Sequence, residues 1–198
     1  MIALPRIAAV VLAAGRATRM GSNKLVAEAG GKSLLRHVVD AALASRARPV
    51  IVVTGHEADV VTGALQGCDV RFTHNPHFAE GLSTSLKTGI AAVPSEAAGA
   101  VILLGDMPAV TAAFIDELIE AFAQAPHMAA VAPVHAGQRG NPVLLSRRLF
   151  REVPRLKGDR GARPILDDHA DVLEIPGDGS VALDIDTPAA LEALRRKP

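Results

Sequence analysis

The sequence contains very little of three things: cysteine, aromatic residues and net charge. Cys68 is the only cysteine among the 198 residues, so a disulfide framework and a cysteine-based zinc site are excluded. Tryptophan and tyrosine are absent and there are only five phenylalanines, which argues against a base-stacking surface for single-stranded nucleic acid. Lysine plus arginine and aspartate plus glutamate number 21 each, so the formal net charge is zero. Long-range attraction to nucleic acid or to an acidic membrane is therefore not expected.

Long apolar segments are also lacking. No stretch approaches the ~20 apolar residues that a membrane-spanning helix needs. Residues 7–14 are apolar and follow Arg6, a pattern that can resemble a secretory signal. Cleavage after them would remove the predicted central strand, and a single thiol suits a reducing compartment. We therefore expect a cytoplasmic protein with no membrane or nucleic-acid partner.

The most informative stretch is residues 10–25, where an apolar run ends in glycines and cations. Residues 7–12 are continuously apolar, which is typical of a parallel strand buried on both faces. Gly15 and Gly21 follow, and glycine permits the close backbone approach that a phosphate-binding loop needs. Three cations of the sign that a polyphosphate requires lie in the same stretch: Arg16, Arg19 and Lys24. The stretch predicts a loop that binds a nucleoside triphosphate; the plainer alternative is a basic surface loop after a core strand.

Two common phosphate-binding motifs do not fit this stretch. Gly31-Lys32-Ser33 resembles the end of a Walker A loop, but Val26 stands where its first glycine is required, and the dinucleotide fingerprint Gly-x-Gly-x-x-Gly is absent. Residues 12–24 instead resemble the signature L-A-[AG]-G-x-x-x-R-M-G-x-x-K of the molybdenum-cofactor nucleotidyltransferases, the MobA-like NTP transferases. The resemblance implies catalytic roles for Lys24 and Arg19 in neutralising the leaving pyrophosphate. It also implies nucleotide contacts from the residues of the loop: Leu12, Ala13, Ala14, Gly15, Arg16, Gly21 and Lys24.

A second block of the same family is matched by Asn75, Gly81 and Ser85. In the family this segment lies along the base and ribose, so the resemblance implies nucleotide contacts from these three residues. Gly81 and the hydroxyl residues after it predict a helix whose open N-terminus faces the nucleotide. The alternative is that a serine or threonine of the segment only caps that helix.

Three carboxylates are candidates for a metal site. Asp106 follows a predicted strand at residues 100–104, where open α/β sheets bind ligands, and residues 103–108 match the family's metal-binding block Leu-x-Gly-Asp-Met-Pro. Asp184 and Asp186 fall on one face of a predicted strand at residues 181–186, where they repel unless a cation joins them. The resemblance implies that Asp106 is catalytic and that, with Asp186 or Asp184, it holds Mg²⁺. The alternatives are a turn residue for Asp106 and helix capping for the other two.

Two later blocks resemble the part of the family that binds the acceptor substrate. Arg139 and Asn141 belong to the first, and a plain hairpin turn is the alternative there. Gly161 and Arg163 belong to the second, which resembles Gly-Asp-x-Gly-Ala-Arg and would suit an acceptor phosphate at a helix start. A solvated linker is the alternative for that loop.

Strands and helices alternate along the whole chain. This pattern predicts one three-layer α/β/α Rossmann-like domain, residues 1–198, with a mostly parallel sheet. The strands near Val143 and Val181 are expected to be antiparallel or peripheral, and a helix is expected from Ser146. Ser33 and Thr111 are expected to cap the helices that follow them. We expect residues from about 1 to 110 to bind the nucleotide and residues from about 111 to 198 to bind the acceptor.

The function implied by the resemblance is transfer of CMP from CTP to the phosphate of molybdopterin, with release of pyrophosphate and with Mg²⁺ as cofactor. Ala14 stands where the guanylyl relatives carry a second glycine. This difference favours CTP over GTP, but only through the contact of a single methyl group. The product would pass to a molybdenum enzyme or its chaperone. Two alternatives stay open: another CTP- or UTP-dependent nucleotidyltransferase with a different acceptor, and a non-catalytic molybdenum-cofactor-binding partner.

Overall fold

The computed structural model describes residues 4–16, 23–183, 185 and 187–195. Four of the predicted site residues, Arg19, Gly21, Asp184 and Asp186, lie outside these ranges. The strands and helices within them are β1 (Ile7–Ala13), β2 (Glu28–Ala29), β3 (Lys32–Ser33), α1 (Leu34–Ala44), β4 (Val50–Thr54), α2 (Ala58–Ala64), β5 (Arg71–His74), α3 (Leu82–Ala91), β6 (Gly99–Leu104), α4 (Ala112–Gln124), β7 (Ala130–His135), β8 (Gln138–Arg139), β9 (Val143–Ser146), α5 (Arg163–Asp168), β10 (Val172–Pro176) and α6 (Pro188–Arg195).

The main sheet has the strand order β10-β7-β9-β6-β1-β4-β5, with β8 paired to β7. β1 pairs in parallel with β4 and β6, β4 with β5, and β10 with β7. β9 runs antiparallel between β6 and β7. The predicted strand near Val143 is therefore antiparallel, as one alternative had it, but it lies inside the sheet and not at its periphery.

Helices cover both faces of the sheet, which confirms the three-layer fold. All seven residues of β1 are buried, as its continuous apolar run predicts. Side chains alternate along it, so that Ile7, Ala9 and Val11 pack against α1, α2 and α4, whereas Ala8, Val10 and Leu12 pack against α3, α5 and the chain around residues 149–156. The strand therefore lies at the centre of two apolar cores.

The helix starts of α1 and α4 form as their sequences predict. The Ser33 hydroxyl accepts a hydrogen bond from the Arg36 N–H at 3.2 Å, and the Thr111 hydroxyl accepts one from the Phe114 N–H at 3.2 Å. Among the described helices, none combines the length and the hydropathy that crossing a bilayer takes.

Two predictions about the C-terminal third are wrong. The chain after Ser146 forms two 3₁₀ turns, Arg147–Arg151 and Val153–Arg155, instead of an α-helix. Pro154 lacks the N–H that a continuing helix would need. The strand expected at residues 181–186 does not pair with another strand over its described residues; a 3₁₀ turn covers Gly179–Ala182, and the last strand of the sheet is β10 instead.

Candidate functional site

One edge of the sheet collects the predicted site residues because of strand direction. β1, β4 and β6 are parallel, so the residues that follow them lie at the same edge. Gly15 and Arg16 follow β1, and Asp106 follows β6. β9 runs the other way, so its beginning lies at this edge, and the preceding residues Arg139 and Asn141 reach it from that side.

A cavity of about 420 Å³ opens at this edge, and we call it the Lys24 cavity. Its walls contain most of the predicted nucleotide-binding and catalytic residues within the described chain: Leu12, Ala14, Gly15, Arg16, Lys24, Gly81, Ser85 and Asp106. Other residues also line it: Leu25, Phe78, Ala79, Leu82, Leu104 and Asp159. The sequence pattern of three separate blocks thus converges on one concave surface.

A second cavity of about 430 Å³ adjoins the first, and we call it the Arg163 cavity. All four predicted acceptor-binding residues line it: Arg139, Asn141, Gly161 and Arg163. The two cavities have four wall residues in common, Leu12, Leu82, Leu104 and Asp159. Ligands in the two cavities would therefore be separated by little more than one layer of side chains.

The central ion pair of the Lys24 cavity joins two predicted catalytic residues directly. Lys24 Nζ lies 2.6 Å from Asp106 Oδ2, and each side chain is 17% exposed. Lys24 begins a 3₁₀ turn in which the Asn23 side chain accepts a hydrogen bond from the Leu25 N–H. The Asp106 carbonyl accepts a hydrogen bond from the Ile185 N–H at 3.0 Å. A cation is thus accommodated at the Asp106 carboxylate, and both partners are fixed through their main chain.

Arg16 lies over an aromatic ring in the same cavity. Its guanidinium carbon is 5.3 Å from the centre of the Phe78 ring. The His56 ring approaches Phe78 at 5.8 Å between ring centres, with the planes inclined by 39°. A Cβ atom on Gly55 would come within 2.7 Å of the Cβ atoms of both Ala14 and Phe78, so only glycine lets these two residues pack so closely there.

Two predicted nucleotide-binding residues, Asn75 and Ala13, lie behind the wall of the cavity. The Asn75 side chain is buried; its Nδ2 donates to Thr84 Oγ1 at 2.8 Å and to Ser85 Oγ at 3.0 Å, and its Oδ1 accepts from the His77 N–H at 3.0 Å. Ala13 is buried against the core on the α1 side of the sheet. Asn75 therefore holds the chain before α3 in place, and its direct contact with a nucleotide stays a prediction, as does that of Ala13.

The first N–H groups of α3 already have hydrogen-bond acceptors within the protein, whereas the sequence predicts a helix N-terminus that is open to the nucleotide. The Leu82 N–H donates to Asp159 Oδ1 at 3.0 Å, and the Ser83 N–H donates to the Gly158 carbonyl at 3.0 Å. Gly81 has a φ of +112°, and a Cβ atom on it would lie 2.6 Å from the Gly158 carbonyl carbon. The cap of α3 thus comes from a loop far along the chain. The serine or threonine cap that was the alternative does not form.

Arg139 and Arg163 are two of the three arginines that line the Arg163 cavity, and they differ in what surrounds them. Arg139 Nε donates to Glu174 Oε1 at 2.8 Å, and its Nη1 donates to the Leu166 carbonyl at 3.0 Å. The exposed Arg163 guanidinium has no hydrogen bond or ion pair within the ranges that the structure describes. Arg163 is therefore the readier of the two to meet an anionic ligand, while Arg139 ties β8 to β10.

The described residues contain no cluster of three or more histidine, cysteine, aspartate or glutamate side chains that would form a metal cage. Asp106 is the predicted metal ligand that can be placed. This donor set suits Mg²⁺, which is usually held by one or two carboxylates together with substrate phosphates and water. The 2.6 Å contact with the Lys24 ammonium shows that the Asp106 carboxylate accepts positive charge from the cavity side.

Two residues of the site were not among the candidates from the sequence. Asp159 lines both cavities and caps α3, and it belongs to the same Gly-Asp-x-Gly-Ala-Arg block as Gly161 and Arg163. Phe78 lines the Lys24 cavity. The sequence signal that could have identified it is its position between Asn75 and Gly81, in a chain with only five phenylalanines.

Comparison with known proteins gives the same picture. Residues 9–172 match the family model of the MobA-like NTP transferase domain. The purine catabolism protein PucB of Bacillus subtilis is 32% identical over an alignment 215 positions long, which covers 97% of each protein. The molybdenum cofactor cytidylyltransferase of Escherichia coli is 30% identical over 183 residues, which cover 90% of each.

The chain is also 39% identical over 110 residues to the bifunctional protein GlmU of Sorangium cellulosum, but it spans only 23% of that relative's length. Among solved structures, Rv0371c of Mycobacterium tuberculosis in complex with manganese superposes with a TM-score of 0.80 at 29% identity, covering 98% of this chain and 100% of that one. The similarity therefore extends over sequence and fold together.

Proposed function

The chain belongs to the MobA-like NTP transferase family and is a nucleotidyltransferase, and we propose that it transfers CMP from CTP to the phosphate of molybdopterin, releasing pyrophosphate. The observation that carries the proposal is the pair of adjoining cavities with a common wall. One contains Lys24 and Asp106, and the other contains Arg163. Their proximity suits a reaction in which the phosphates of two substrates meet.

The proposed reaction is a single in-line displacement. An oxygen of the acceptor phosphate attacks the α-phosphorus of CTP, the new P–O bond forms, and the bond to pyrophosphate breaks with its electron pair leaving on pyrophosphate. Positioning and charge neutralisation supply the catalysis of such a step, because the barrier arises mainly from crowded negative charge. Lys24, Arg16 and Arg19 neutralise the leaving pyrophosphate, and the main chain of the loop from Ala14 to Gly21 holds it.

Asp106 is proposed as the ligand of Mg²⁺, with Asp186 or Asp184 as the second carboxylate. Support comes from the half-buried Asp106 carboxylate, which already has a cation 2.6 Å away, and from the Ile185 N–H that joins the segment between the two other aspartates to Asp106. Bound Mg²⁺ would supply charge neutralisation on the nucleotide phosphates. The manganese found in Rv0371c is consistent with a divalent cation in this family.

CTP is proposed as the nucleotide on two grounds. The Escherichia coli relative is a cytidylyltransferase by name, and it aligns over 90% of the chain. Ala14 lines the Lys24 cavity, and its methyl group packs beside Gly55, at the position where the guanylyl relatives have a second glycine. The assignment of the acceptor to the Arg163 cavity is supported by the four predicted acceptor-binding residues that line it. All four come after residue 110, in keeping with the proposed division of the chain near that position.

A second candidate is a nucleotidyltransferase of the same family that uses another phosphorylated acceptor. The observation that favours it is the similarity to PucB, which is as extensive as the similarity to the cytidylyltransferase. The chemistry in the Lys24 cavity would be the same. Only the ligand of the Arg163 cavity would differ.

The deciding experiment is a pyrophosphate-release assay with each of the four common nucleoside triphosphates and Mg²⁺, with and without molybdopterin. We expect release with CTP that depends on molybdopterin. Release with CTP that molybdopterin does not stimulate would point to another acceptor, and equal release with all four nucleotides would contradict the assignment of the base.

Binding can be tested separately by thermal unfolding. At about a hundredfold excess over Kd, a ligand stabilises the folded state by about 2.7 kcal/mol. For a domain of this size that gain raises Tm by roughly 5–10 °C. We expect CTP with Mg²⁺ to raise Tm more than GTP with Mg²⁺ at equal concentration; equal shifts would again contradict the choice of CTP.

A further inference from the structure

Phe78 is the one aromatic side chain in the described walls of the Lys24 and Arg163 cavities. The other phenylalanines lie elsewhere, Phe72 on β5, Phe114 and Phe122 on α4, and Phe150 in a 3₁₀ turn. Phe78 is partly exposed and turns a ring face toward Arg16 in the Lys24 cavity. The proposed reaction does not use this ring.

The ring is fixed from three sides. Phe78 begins a 3₁₀ turn, Phe78–Glu80, which starts where the buried Asn75 carboxamide accepts the His77 N–H. Its Cβ atom packs against Gly55 so closely that a side chain there would overlap it at 2.7 Å. The His56 ring adds a tilted contact at 5.8 Å. A ring held in this way is ready for a ligand without further ordering, which lowers the entropic cost of binding.

The guanidinium of Arg16 marks the accessible face of the ring. A guanidinium 5.3 Å from the ring centre is a cation–π contact, and it forms where a flat group can approach the ring. Arg16 is exposed and belongs to the loop that is proposed to bind the triphosphate. The contact is therefore one from which Arg16 can be withdrawn when phosphates offer it a stronger partner.

We infer that Phe78 is a binding residue for the nucleobase: the base stacks on the ring face that Arg16 covers, and Arg16 turns to the phosphates of the same nucleotide. The inference rests on the proposed function, since it requires a nucleoside triphosphate in the Lys24 cavity. Nucleobases stack on aromatic rings whatever their identity. Phe78 thus contributes affinity, and the choice between bases is left to neighbours such as Ala14.

The first test compares CTP with a ligand that lacks a base. Phe78→Leu keeps an apolar side chain but removes the flat ring, so we expect CTP binding with Mg²⁺ to weaken about tenfold, within the range for loss of one stacked base. Inorganic tripolyphosphate should bind the variant and the wild type equally. Equal CTP affinity for both proteins, or equal losses for CTP and tripolyphosphate, would overturn the inference.

The second test uses the absence of tryptophan from the chain. Phe78→Trp introduces a single fluorophore at the proposed stacking site, and we expect CTP, but not tripolyphosphate, to change its emission while CTP affinity stays within about threefold of wild type. Phe72→Trp is the matched control, because Phe72 is 43% exposed on β5 and lines neither cavity. A CTP-induced change in the emission of Phe72→Trp as large as that of Phe78→Trp would contradict the inference.

The two proposals can fail separately. If no nucleoside triphosphate binds the wild-type protein, the proposed function falls, and the inference falls with it. If CTP binds the wild type and reacts, but Phe78→Leu binds CTP as tightly and Phe78→Trp gives no response, only the inference is refuted. In each case, tripolyphosphate binding measures whether the phosphate part of the cavity is intact.

Discussion

The sheet has a cavity at each of its two edges, and the larger one is not at the proposed site. The Lys24 cavity lies at the carboxyl ends of β1, β4 and β6 and measures about 420 Å³. A cavity of about 510 Å³ lies near the amino ends of β1 and β4, and we call it the Arg6 cavity. Four arginines line it: Arg6, Arg46, Arg48 and Arg71. Cavity size and positive charge alone would therefore select the edge opposite to the proposed site.

Two of the four arginines of the Arg6 cavity, Arg46 and Arg48, are held by contacts within the fold. Arg46 pairs with Asp116 at 3.3 Å and also with Glu120, which joins the end of α1 to α4. Arg48 donates to the carbonyls of Ser45 at 2.9 Å and Ala47 at 2.6 Å, just after α1. In the Lys24 cavity the cations instead face a carboxylate or an aromatic ring within the cavity itself. The comparison teaches that the partners of the charged groups, more than their number, separate a binding edge from a structural one.

The largest expected contrast between the edges is in turnover. Asp106→Asn removes the carboxylate proposed to hold Mg²⁺, so we expect pyrophosphate release to fall by about 10³-fold, the scale of losing a main electrostatic contribution. Arg71→Ala, in the Arg6 cavity, should leave the rate unchanged. Thermal unfolding checks that both variants are folded. A near-normal rate for Asp106→Asn would remove the metal role.

Lys24→Ala should have the next largest effect, and it should depend on the ligand. We expect CTP binding to weaken by about 10- to 100-fold, because a half-buried ammonium on a phosphate is worth about 1.5–3 kcal/mol, and CMP binding to weaken by about threefold or less. Titration calorimetry measures both. Lys32→Ala is the control, since Lys32 pairs with Asp40 on the surface. Equal losses for CTP and CMP would contradict the phosphate role.

Arg48→Ala, in the Arg6 cavity, should affect stability and not turnover, the opposite of what we expect for Asp106→Asn in the Lys24 cavity. The variant loses hydrogen bonds to main-chain carbonyls after α1, so we expect it to unfold with about 1 kcal/mol less free energy, or a Tm lower by roughly 2–4 °C. Turnover should not change. Unchanged stability together with slower turnover would show that the Arg6 cavity takes part in the reaction.

The smallest expected effect is a pH-dependent one, at a residue that lines neither the Lys24 cavity nor the Arg6 cavity. The hydrogen bond that the His169 ring donates to the Glu152 carboxylate, with a further contribution from Asp171, raises the pKa of His169 above its usual value. The stabilising effect of the protonated ring is therefore fully present below about pH 6.5, the usual pKa, and is lost as the pH rises through the raised value. His169→Gln should cost stability, by less than about 1 kcal/mol, at pH ~5.5 and little at pH ~9. Denaturant unfolding at the two pH values measures this, and equal losses at both would contradict it.

Local sequence patterns predicted the parts of the fold that depend on local interactions. The buried β1 and the caps of α1 and α4 are of this kind, because a continuous apolar run and a hydroxyl before a helix act within a few residues. β10 was missed because it is a partly exposed edge strand that ends in Pro176, and such a segment resembles a loop. The cap of α3 by Asp159 was missed because it joins residues 77 positions apart.

The same distinction holds for the site. Gly15 and Asp106 each come within two residues of the end of a strand, so strand direction alone brings them to one edge. The importance of Phe78 depends on how the chain folds over Gly55, which no local pattern encodes. Likewise, the sequence shows Arg139 and Arg163 as equivalent cations, and the contacts of Arg139 with Glu174 and with the Leu166 carbonyl separate them.

The Asp159 cap has one consequence for the source of positive charge. A helix carries a partial positive charge at its beginning, and α3 begins at the wall of the Lys24 cavity. In this chain that pole is already balanced by an internal carboxylate, so α3 draws an incoming polyphosphate only weakly. The attraction then depends on side chains and on the proposed main-chain contacts of the loop after β1, and the cost of losing Lys24 rises because the N-terminus of α3 contributes little.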